Sequence, residues 1–497
     1  MQSLDNLQNG EVANNTFGGG ASETVLGVGV AVLAVLAIVL VLVVRRKLVL
    51  GPLMFAIVLL PFGQTLVLGG FHLFAYRILV LVGLLRAVTS RTSRGSLFGT
   101  GRNSLDTFFI LWAIFRAMAF VLRFREMGAI LNQAGFLWDA IGGYLLMRFL
   151  IQDDEDCLRL TKILSAIAAV LAVTMLYEKL YDVNLYGFLT AAPIIPEIRN
   201  GSIRAQGPFH HAILAGTFGA TLLPLFIWLW MSKKARLLGL LGMLASTVIT
   251  VTAASSTPVS AYLAAIISIC CWPLRRSMRL IRWGFVIGVV MLNFAMHAPV
   301  WWALEHVDLA GGSAGEHRAE LIDNFIRHFG DWWLIGTSDN ASWGFEMWDI
   351  SNQYVSEGEV GGLATFICFA SMLYLGYKWI GISRGRSAPD RTREWQFWLL
   401  GATLFSNCVA FMGISYFDQT RFYWYALLAL ISVTTGPLVR RTANVDNKQQ
   451  SQAEQPAASV TSLTDDPDRF SGGGLPFSFA RSHTYDAQPG STGPAMT

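Results

Sequence analysis

Long runs of apolar residues, separated by short polar segments, repeat along most of this chain. A helix needs about 20 apolar residues to cross the hydrocarbon core of a bilayer, so runs of that length predict membrane-spanning helices. The runs lie near residues 25–44, 48–68, 71–88, 105–122, 130–150, 160–177, 212–231, 236–253, 257–274, 280–298, 360–380, 395–416 and 420–438. The pattern therefore predicts an all-α polytopic membrane protein with about 12–13 transmembrane helices.

The composition agrees with a membrane protein and excludes several other classes. Hydrophobic residues make up 53% of the chain and charged residues only 14%, against about 25% charged in soluble domains. A net charge of +4 is too small to indicate a nucleic-acid partner. The five cysteines lie in apolar runs or on the predicted cytoplasmic side, so we expect no disulfide framework. Metal-ligand spacings and nucleotide-binding loops are missing from the sequence, so we expect no metal and no cofactor.

Basic residues in alternate connections predict the orientation, because lysine and arginine stay on the cytoplasmic side of short loops. Arg45, Arg46 and Lys47 follow the first run, and Arg440 and Arg441 follow the last. This pattern predicts an external N-terminus and a cytoplasmic C-terminus. Residues 1–24 read as an external leader before a retained first helix, because they lack the basic start of a signal peptide. The helical bundle is predicted for 25–438, and the polar composition of 439–497 predicts a disordered cytoplasmic tail.

Two predicted external connections are much longer than the others, at about 178–211 and 299–359; we call them the first and second long loops. The first ends in RAQGPFHH, which includes Arg204, Gly207, His210 and His211. A guanidinium presents a planar set of donors suited to phosphate oxygens, and a glycine lets the backbone approach a ligand closely. Arg204 could instead anchor the chain at lipid headgroups, and the histidines could form local hydrogen bonds where the next helix begins.

The second long loop contains a helical pattern from Glu316 to Phe329. Ser313 and Glu316 have capping-box spacing, which would place His317 and Arg318 in the first turn, where the helix dipole favours an anion. An amphipathic helix at the membrane surface, with solvated charges, is the alternative. The apolar stripe of this helix comprises Leu321, Ile322, Phe325, Ile326 and Phe329.

Acidic and aromatic residues follow this helix. Carboxylates there could activate a hydroxyl or bind a sugar, and Trp343 and Trp348 could stack on sugar rings. Ordinary loop polarity and an interfacial aromatic belt explain the same pattern. The acidic residues are Asp339, Glu346, Asp349, Glu357 and Glu359.

Four charged residues fall within or at the ends of predicted spans: Arg77, Arg116, Asp139 and Arg148. Charge in the bilayer costs about 2.5 to 3.5 kcal/mol on insertion scales, so we expect these side chains to face the bundle interior. Arg77 is the one that we would add to a polyanion site. Arg148, near a cytoplasmic end, is expected to extend to the interface.

At these residues the chain resembles the O-antigen ligase and O-antigen polymerase superfamily of bacterial envelope glycan enzymes. The family's Arg–Gly segment is matched by RAQGPFHH and its SxGxR-like segment by SAGEHRAELI. Its GxG-like turn is matched by GTSDN and its HNxYL…ExGxxG stretch by SNQYVSEGEVGG. The resemblance spans roughly residues 70–435.

The resemblance implies a metal-independent glycosyltransferase with a GT-C-like helical bundle in the bacterial inner membrane. Such an enzyme takes a glycan from undecaprenyl pyrophosphate on the external face and transfers it to a glycan acceptor. By this resemblance Arg204 and Arg318 hold the pyrophosphate, while Asn352, Tyr354, Glu359 and Gly361 match the last motif. A chain-length regulator and a flippase are implied partners. Arg77, Gly207, His210 and His211 complete the expected substrate-binding set.

Two departures from the family bear on the reaction. The ligases have a histidine where this chain has Ser351, so the ligase base is missing and polymerisation of repeat units into O-antigen, capsule or exopolysaccharide is favoured. The SSTP stretch near Thr257 lacks the arginine often found there. Candidates to accept the proton of the acceptor hydroxyl are His317 and Glu359, followed by His211.

Two other functions stay open from the sequence. One is ligase-type transfer of glycan to lipid or protein. The other, from a different class, is a transporter of an anion or a lipid-linked saccharide, because arginines within the membrane also mark permeation paths. Asp139 is the one plausible coupling-ion carboxylate for such a transporter.

Overall fold

The computed structural model describes residues 24–68, 71–89, 101–191, 194–199, 201–233, 235–306 and 314–453. The predicted leader, Ser313 and residues 454–497 of the predicted tail lie outside this part of the chain. The chain divides into a unit of residues 1–443 and a unit of residues 444–497. The second unit is helical over its described residues, 444–453, and everything below concerns the first.

The N-terminal half of the fold is built from helices of unequal length with two small antiparallel ribbons inserted between them. Its elements are α1 Val28–Val43, α2 Arg46–Leu59, β1 Thr65–Leu68, β2 Phe71–Phe74, α3 Ala75–Thr89, α4 Ser104–Phe124, α5 Met127–Leu137, α6 Gly143–Leu150, α7 Asp154–Tyr181, β3 Glu197–Arg199 and β4 Ser202–Arg204. A single π-helical turn, Trp138–Gly142, joins α5 to α6, and a 3-10 turn, Leu185–Phe188, follows α7.

The C-terminal half contains helices joined by turns and loops, with no strand among its described residues. Its elements are α8 Ala212–Met231, α9 Arg236–Thr252, α10 Ser256–Cys270, α11 Met278–Ala295, α12 Ala314–Arg327, α13 Phe329–Trp332, α14 Gln353–Arg386, α15 Arg391–Ala410 and α16 Gln419–Ala453. Shorter 3-10 turns lie at Trp272–Arg276, Val300–His306 and Asn340–Trp343.

The prediction of an all-α polytopic membrane protein is confirmed. Within the described residues, six helices are long and apolar enough to cross a membrane, and three shorter ones are also apolar. A helix lies at or within each of the predicted spans, but these nine described helices are fewer than the 12–13 transmembrane helices predicted. The long ones are Ser104–Phe124, Asp154–Tyr181, Ala212–Met231, Met278–Ala295, Gln353–Arg386 and Gln419–Val439.

Two predicted spans in the N-terminal part were partly wrong. In the run at 48–68 the helix ends at Leu59, and strand β1 follows from Thr65. The run at 71–88 begins with strand β2, and α3 follows from Ala75. β1 and β2 pair in antiparallel register, with Thr65 opposite Phe74. The sequence places Gly69 and Gly70 between the strands, and Gly-Gly between two apolar runs is a hairpin signal that average hydropathy does not detect.

The buried core supports the expected inward orientation of intramembrane charge, because each charge has a carboxylate or arginine partner. Arg148 pairs with Asp106 at 2.8 Å, Arg77 with Asp139 at 2.8 Å and Arg116 with Glu357 at 3.0 Å. The expectation that Arg148 extends to the interface was wrong: its side chain is 0% exposed. Asp106 also forms a capping box with Asn103 at the start of α4. Its carboxylate compensates the charge of the Arg148 guanidinium, which is buried away from water.

The second long loop has its own small hydrophobic core, separate from that of the bundle. The predicted helix over 316–329 is confirmed as α12, which runs from Ala314 to Arg327. Of its predicted stripe, Ile326 and Phe329 are exposed. Trp343 is buried in this core and stacked on His328, so it is closed to a sugar, whereas Trp348 is 70% exposed. The buried residues of the core are Leu321, Phe325, Trp332, Trp343, Met347 and Val355.

Candidate functional site

Arg204 ends the short hairpin β3–β4 at the C-terminal part of the first long loop. Its partner in the strand register is Glu197, and the two side chains form an ion pair. The Arg204 side chain is buried, and its Nε has no hydrogen-bond partner. The next residue, Ala205, donates its N–H to the carbonyl oxygen of Thr252 at 3.1 Å. Arg204 is thus fixed beside the C-terminal end of α9.

Gly207 forms the turn that follows Arg204. Its φ of +58° lies in the left-handed region that favours glycine. Its N–H donates to Glu178 at 2.9 Å, and its carbonyl oxygen accepts from Asn184 at 2.8 Å. Both polar groups of Gly207 are therefore satisfied by α7 and the residues just after it, and the glycine shapes the loop from within.

Arg318 lies in the first turns of α12, on the second long loop. Its Nη2 donates to Thr257 Oγ1 at 2.8 Å. The Thr257 hydroxyl in turn donates to the carbonyl oxygen of Gly413 at 3.2 Å. Thr257 is in the first turn of α10. Arg318 and Arg204 therefore approach the same short connection, between the end of α9 at Thr252 and the start of α10.

The connection between α15 and α16, together with the first residues of α16, joins these parts; we call residues 411–421 the hub segment. Gln419 Nε2 donates to the carbonyl oxygen of Pro208 in the first long loop at 3.0 Å. Ser415 Oγ donates to the carbonyl oxygen of Ile350 in the second long loop at 3.1 Å. With the contact of Gly413 to Thr257, the hub segment touches both loops and the α9–α10 connection.

The hub segment also forms one wall of a cavity of about 230 Å³. Its other walls come from α4, α5, the N-terminal half of α14 and the start of α16. Eight aromatic rings line it: Trp112, Phe136, Phe369, Phe411, Tyr416, Phe417, Trp424 and Tyr425. The remaining lining residues are Arg116, Gln353, Ser356, Glu357, Ser415 and Arg421.

Glu357 is the acidic residue of this cavity, and both of its carboxylate oxygens accept hydrogen bonds from neighbours. Oε2 accepts from Trp112 Nε1 at 2.6 Å and from Arg116 Nη1 at 3.0 Å, and Oε1 accepts from Gln353 Nε2. The charge of Arg116 is therefore compensated inside the cavity. Arg421 donates from Nε to the carbonyl oxygen of Tyr416 at 3.1 Å and forms no ion pair with a carboxylate of the described residues.

His210 and His211 lie beside this cavity, against Phe417. The ring centroids of His211 and Phe417 are 5.8 Å apart, and those of the two histidines are 4.5 Å apart. Both imidazoles are exposed on their other side. Burial, together with the neighbouring His211, lowers the pKa of His210, so that its neutral form is favoured.

The other residues of the predicted last motif have structural contacts. Asn352 caps α14, because its side chain accepts the N–H of Tyr354 at 2.9 Å. The Tyr354 hydroxyl donates to the carbonyl oxygen of Cys408 at 3.1 Å, which ties α14 to α15. His317 Nε2 lies 3.1 Å from the carbonyl oxygen of Asp349, within the second long loop.

Glu359 is not among the residues that line the cavity. Its carbonyl oxygen accepts from Arg123 Nη1 at 2.9 Å and from the N–H of Thr337 at 2.8 Å. Two residues along a helix rotate the side chain by roughly 200°, so Glu357 and Glu359 occupy different faces of α14. The cavity carboxylate is therefore Glu357 and not the predicted Glu359.

Arg77 lies in a separate polar network near the hub segment. It donates hydrogen bonds of 2.9, 3.2 and 2.8 Å to Asp139, and the Tyr76 hydroxyl donates to the same carboxylate at 3.2 Å. Asp139 lies in the π-helical turn, a feature that often marks functional sites. Tyr76 stacks edge-on against Phe422, one residue after Arg421.

Asp418 was missed by the sequence reasoning. It directly follows Phe417, has a φ of +54° and leaves its Oδ2 without a partner. Burial raises the pKa of Asp418 to about 7, while the charge of Arg421 acts in the opposite direction. Arg421 and Asp418 lie at the start of the last apolar run, where hydropathy gives no reason to select them; their signal is two opposite charges within SYFDQTRFYW.

No family model matches the chain, and no curated protein matches it.

Proposed function

We propose that this protein is an integral membrane glycosyltransferase that polymerises oligosaccharide repeat units carried by undecaprenyl pyrophosphate. The products would be surface polysaccharide chains, made on the external face of the bacterial inner membrane by a GT-C-like bundle. The observation that carries the proposal is that segments bearing Arg204 and Arg318, more than a hundred residues apart in sequence, contact Thr252 and Thr257, which lie on either side of the short α9–α10 connection.

The chemistry requires stabilisation of a departing diphosphate. As an acceptor hydroxyl attacks the anomeric carbon, the bond from that carbon to the pyrophosphate oxygen breaks, and negative charge grows on the leaving group. Guanidinium groups held in advance by the fold stabilise that charge more in the transition state than in the bound substrate. Arg318 is held by Thr257 and Arg204 by Glu197, so both are fixed in position. Each could contribute about a hundredfold in rate.

Acceptance of the hydroxyl proton needs a group near the transferred sugar. Of the sequence candidates, His317 is bound within the second long loop. Glu359 does not line the cavity, and both of its carboxylate oxygens are buried without a hydrogen-bond partner. Asp418 is a better candidate, because it directly follows the cavity residue Phe417 and burial raises its pKa to about 7; one of its oxygens, like those of Glu359, has no hydrogen-bond partner. His211, whose ring packs against Phe417, is the second choice.

The proposal is tested with purified protein and a lipid-linked oligosaccharide repeat. We expect chains of more than one repeat, together with release of undecaprenyl pyrophosphate. Arg204→Ala and Arg318→Ala should each reduce chain formation by about a hundredfold or more, and lysine should restore little because the planar donor set is lost.

Matched controls are available for both arginines. Arg327 lies on the same helix as Arg318, is 71% exposed and pairs with Asp323. Arg199 lies in the hairpin of Arg204 and is exposed. Arg327→Gln and Arg199→Gln should retain wild-type chain length. Transfer of the glycan to lipid or protein would identify a ligase, and movement of the substrate across vesicles without a new glycosidic bond would identify a transporter.

A further inference from the structure

The cavity beside the hub segment contains one cation whose charge is not compensated inside it. Its charged lining residues are Arg116, Glu357 and Arg421. Glu357 pairs with Arg116 at 3.0 Å, whereas Arg421 forms no ion pair with any described carboxylate. The cavity lining therefore carries a single net positive charge.

The rest of the lining limits what this charge can bind. Aromatic rings from α4, α14 and α16 surround it, and Gln353, Ser356 and Ser415 are the neutral polar residues. Mixed aromatic and hydrogen-bonding walls fit a ring that has an apolar face and several hydroxyls. At about 230 Å³ the space is smaller than the clefts of about 300–1,000 Å³ that hold drug-sized ligands, so it accommodates only part of a larger molecule.

Nearby charges outside the lining do not remove this excess. Asp139 is bound by Arg77, so that pair is neutral. Asp418, three residues before Arg421, does not line the cavity and forms no ion pair with the guanidinium. Burial raises the pKa of Asp418 to about 7, which further reduces its negative charge near neutral pH.

We propose that this cavity binds one acidic sugar of the glycan, with Arg421 pairing with its carboxylate and the aromatic walls packing against its ring. This proposal rests on the proposed function and specifies its substrate: a repeat unit that carries a uronic acid or another carboxylate-bearing sugar. A diphosphate fits less well, because it carries more than one negative charge and has no apolar face for the rings. Arg421 is therefore a specificity-determining residue.

The experiment compares an acidic trisaccharide with its neutral counterpart and with a diphosphate. Binding of trigalacturonate, of its carboxyl-reduced neutral counterpart and of inorganic pyrophosphate is measured on the purified full-length protein. The wild type should bind trigalacturonate at least about tenfold more tightly than the neutral trisaccharide, as expected for a charge-assisted hydrogen bond. This comparison needs no variant, so it stands even where a substitution impairs folding.

Variants then assign the preference to the residue. Arg421→Gln should remove the preference, and Arg421→Lys should retain part of it because the charge stays. Arg125→Gln is the control, because Arg125 is an exposed arginine at the end of α4, the helix that carries Arg116. Equal wild-type affinity for the acidic and neutral trisaccharides overturns the proposal. The proposal is also overturned if pyrophosphate binding depends on Arg421 and trigalacturonate binding does not. That result assigns the cavity to the diphosphate.

The outcome is separable from that of the proposed function. Arg421-dependent binding of trigalacturonate by a protein that forms no polymer supports the cavity assignment and contradicts the polymerase. Polymer formation from a neutral repeat, with full activity in Arg421→Gln, supports the polymerase and contradicts the cavity assignment.

Discussion

The Nη2 atom of Arg318 lies 2.8 Å from Thr257 Oγ1, although the two residues belong to different parts of the chain. The same hydroxyl contacts the carbonyl oxygen of Gly413 at 3.2 Å, so one threonine links the second long loop, the start of α10 and the hub segment. A Cβ at Gly413 would lie 2.5 Å from Thr257 Oγ1, so this approach requires glycine. Thr257 thus holds Arg318 at the start of α10.

Replacing this hydroxyl should affect catalysis through Arg318. Thr257→Val keeps the shape but removes the acceptor of the arginine, and hydrogen bonds to charged groups contribute about 1.5–3 kcal/mol. We expect chain formation to fall by about tenfold or more in the lipid-linked oligosaccharide assay, with less effect than Arg318→Ala.

Thr250→Val is the matched control, because Thr250 is a buried threonine on α9 whose hydroxyl bonds within its own helix, to Ser246. It should leave the rate within about twofold of wild type. Equal rates in the two valine variants would show that the Thr257 contact does not position Arg318 for the reaction.

The buried pair of Arg148 and Asp106 should be important for stability. Both side chains are 0% exposed, and Asp106 also accepts from the Tyr144 hydroxyl at 2.6 Å. Asp106→Ala leaves a buried guanidinium without its carboxylate, which costs about 3–5 kcal/mol. We expect a large fall in the thermal unfolding temperature of the detergent-solubilised protein.

Glu155 provides the comparison for this pair. It forms a salt bridge with Lys47 at 3.5 Å in which both side chains are more than 60% exposed. Exposed pairs contribute about 0–1 kcal/mol, so Glu155→Ala should change the unfolding temperature little. Similar losses in both variants would contradict the assignment of Arg148 and Asp106 as a structural core pair.

Gly362 should tolerate no side chain. Its φ is +72° inside α14, and a Cβ there would lie 2.6 Å from the carbonyl oxygen of Leu334, which is backbone and cannot move aside cheaply. Gly362→Ala should therefore destabilise the protein by about 1–3 kcal/mol or more and loosen the second long loop from α14. Thermal unfolding and limited proteolysis of the loop measure the two effects.

Gly381, farther along α14, is the control for this change. Nothing lies within 4 Å of a Cβ built there, and its backbone is helical. Alanine should be neutral at this position or stabilise the helix by about 0.5–1 kcal/mol. An equal loss of stability at both glycines would mean that the close approach at Gly362 is not what requires glycine.

The hydrophobic pattern was sufficient to predict the helices, because a membrane helix needs only length and an apolar sequence. It also predicted α12 in the second long loop, where the period of Leu321 and Phe325 reports a local core. It failed for β1 and β2, because a hairpin of apolar strands has the same average hydropathy as a helix. The ion-pair partners could not be predicted for a different reason. Arg116 pairs with Glu357, 241 positions away, and no local sequence pattern encodes such a contact.

The candidate site shows the same limit. Motif resemblance led to Arg204 and Arg318, and the fold brings their segments to one connection. It also led to Glu359, whereas the carboxylate that lines the cavity is Glu357, because residues two apart on a helix occupy different faces. Arg421 and Asp418 belong to no motif, and only the structure draws attention to them. Within the described residues, Arg421 has no ion-pair partner and Oδ2 of Asp418 has no hydrogen-bond partner.

The raised pKa of Asp418 leads to the last prediction, a pH dependence with two separate readouts. As a proton acceptor Asp418 must be ionised, so the transfer rate should rise with pH and level off above its pKa of about 7. Asp418→Asn should lower the rate by about a hundredfold or more and abolish this rise.

The stability of the protein should change with pH in the opposite direction. The unfolded carboxyl ionises near about 3.9, well below the folded one, so folding is favoured at low pH and loses stability as the pH rises from about 4 to 7. In Asp418→Asn that loss should disappear, since the amide does not ionise. Asp339→Asn, at an exposed carboxylate of the second long loop, is the control and should keep both profiles of the wild type. A wild-type rate that is flat between pH 5.5 and 8 would falsify the assignment of Asp418 as the base. If the pH dependence of stability nevertheless disappears in Asp418→Asn, the buried carboxyl affects folding and not catalysis.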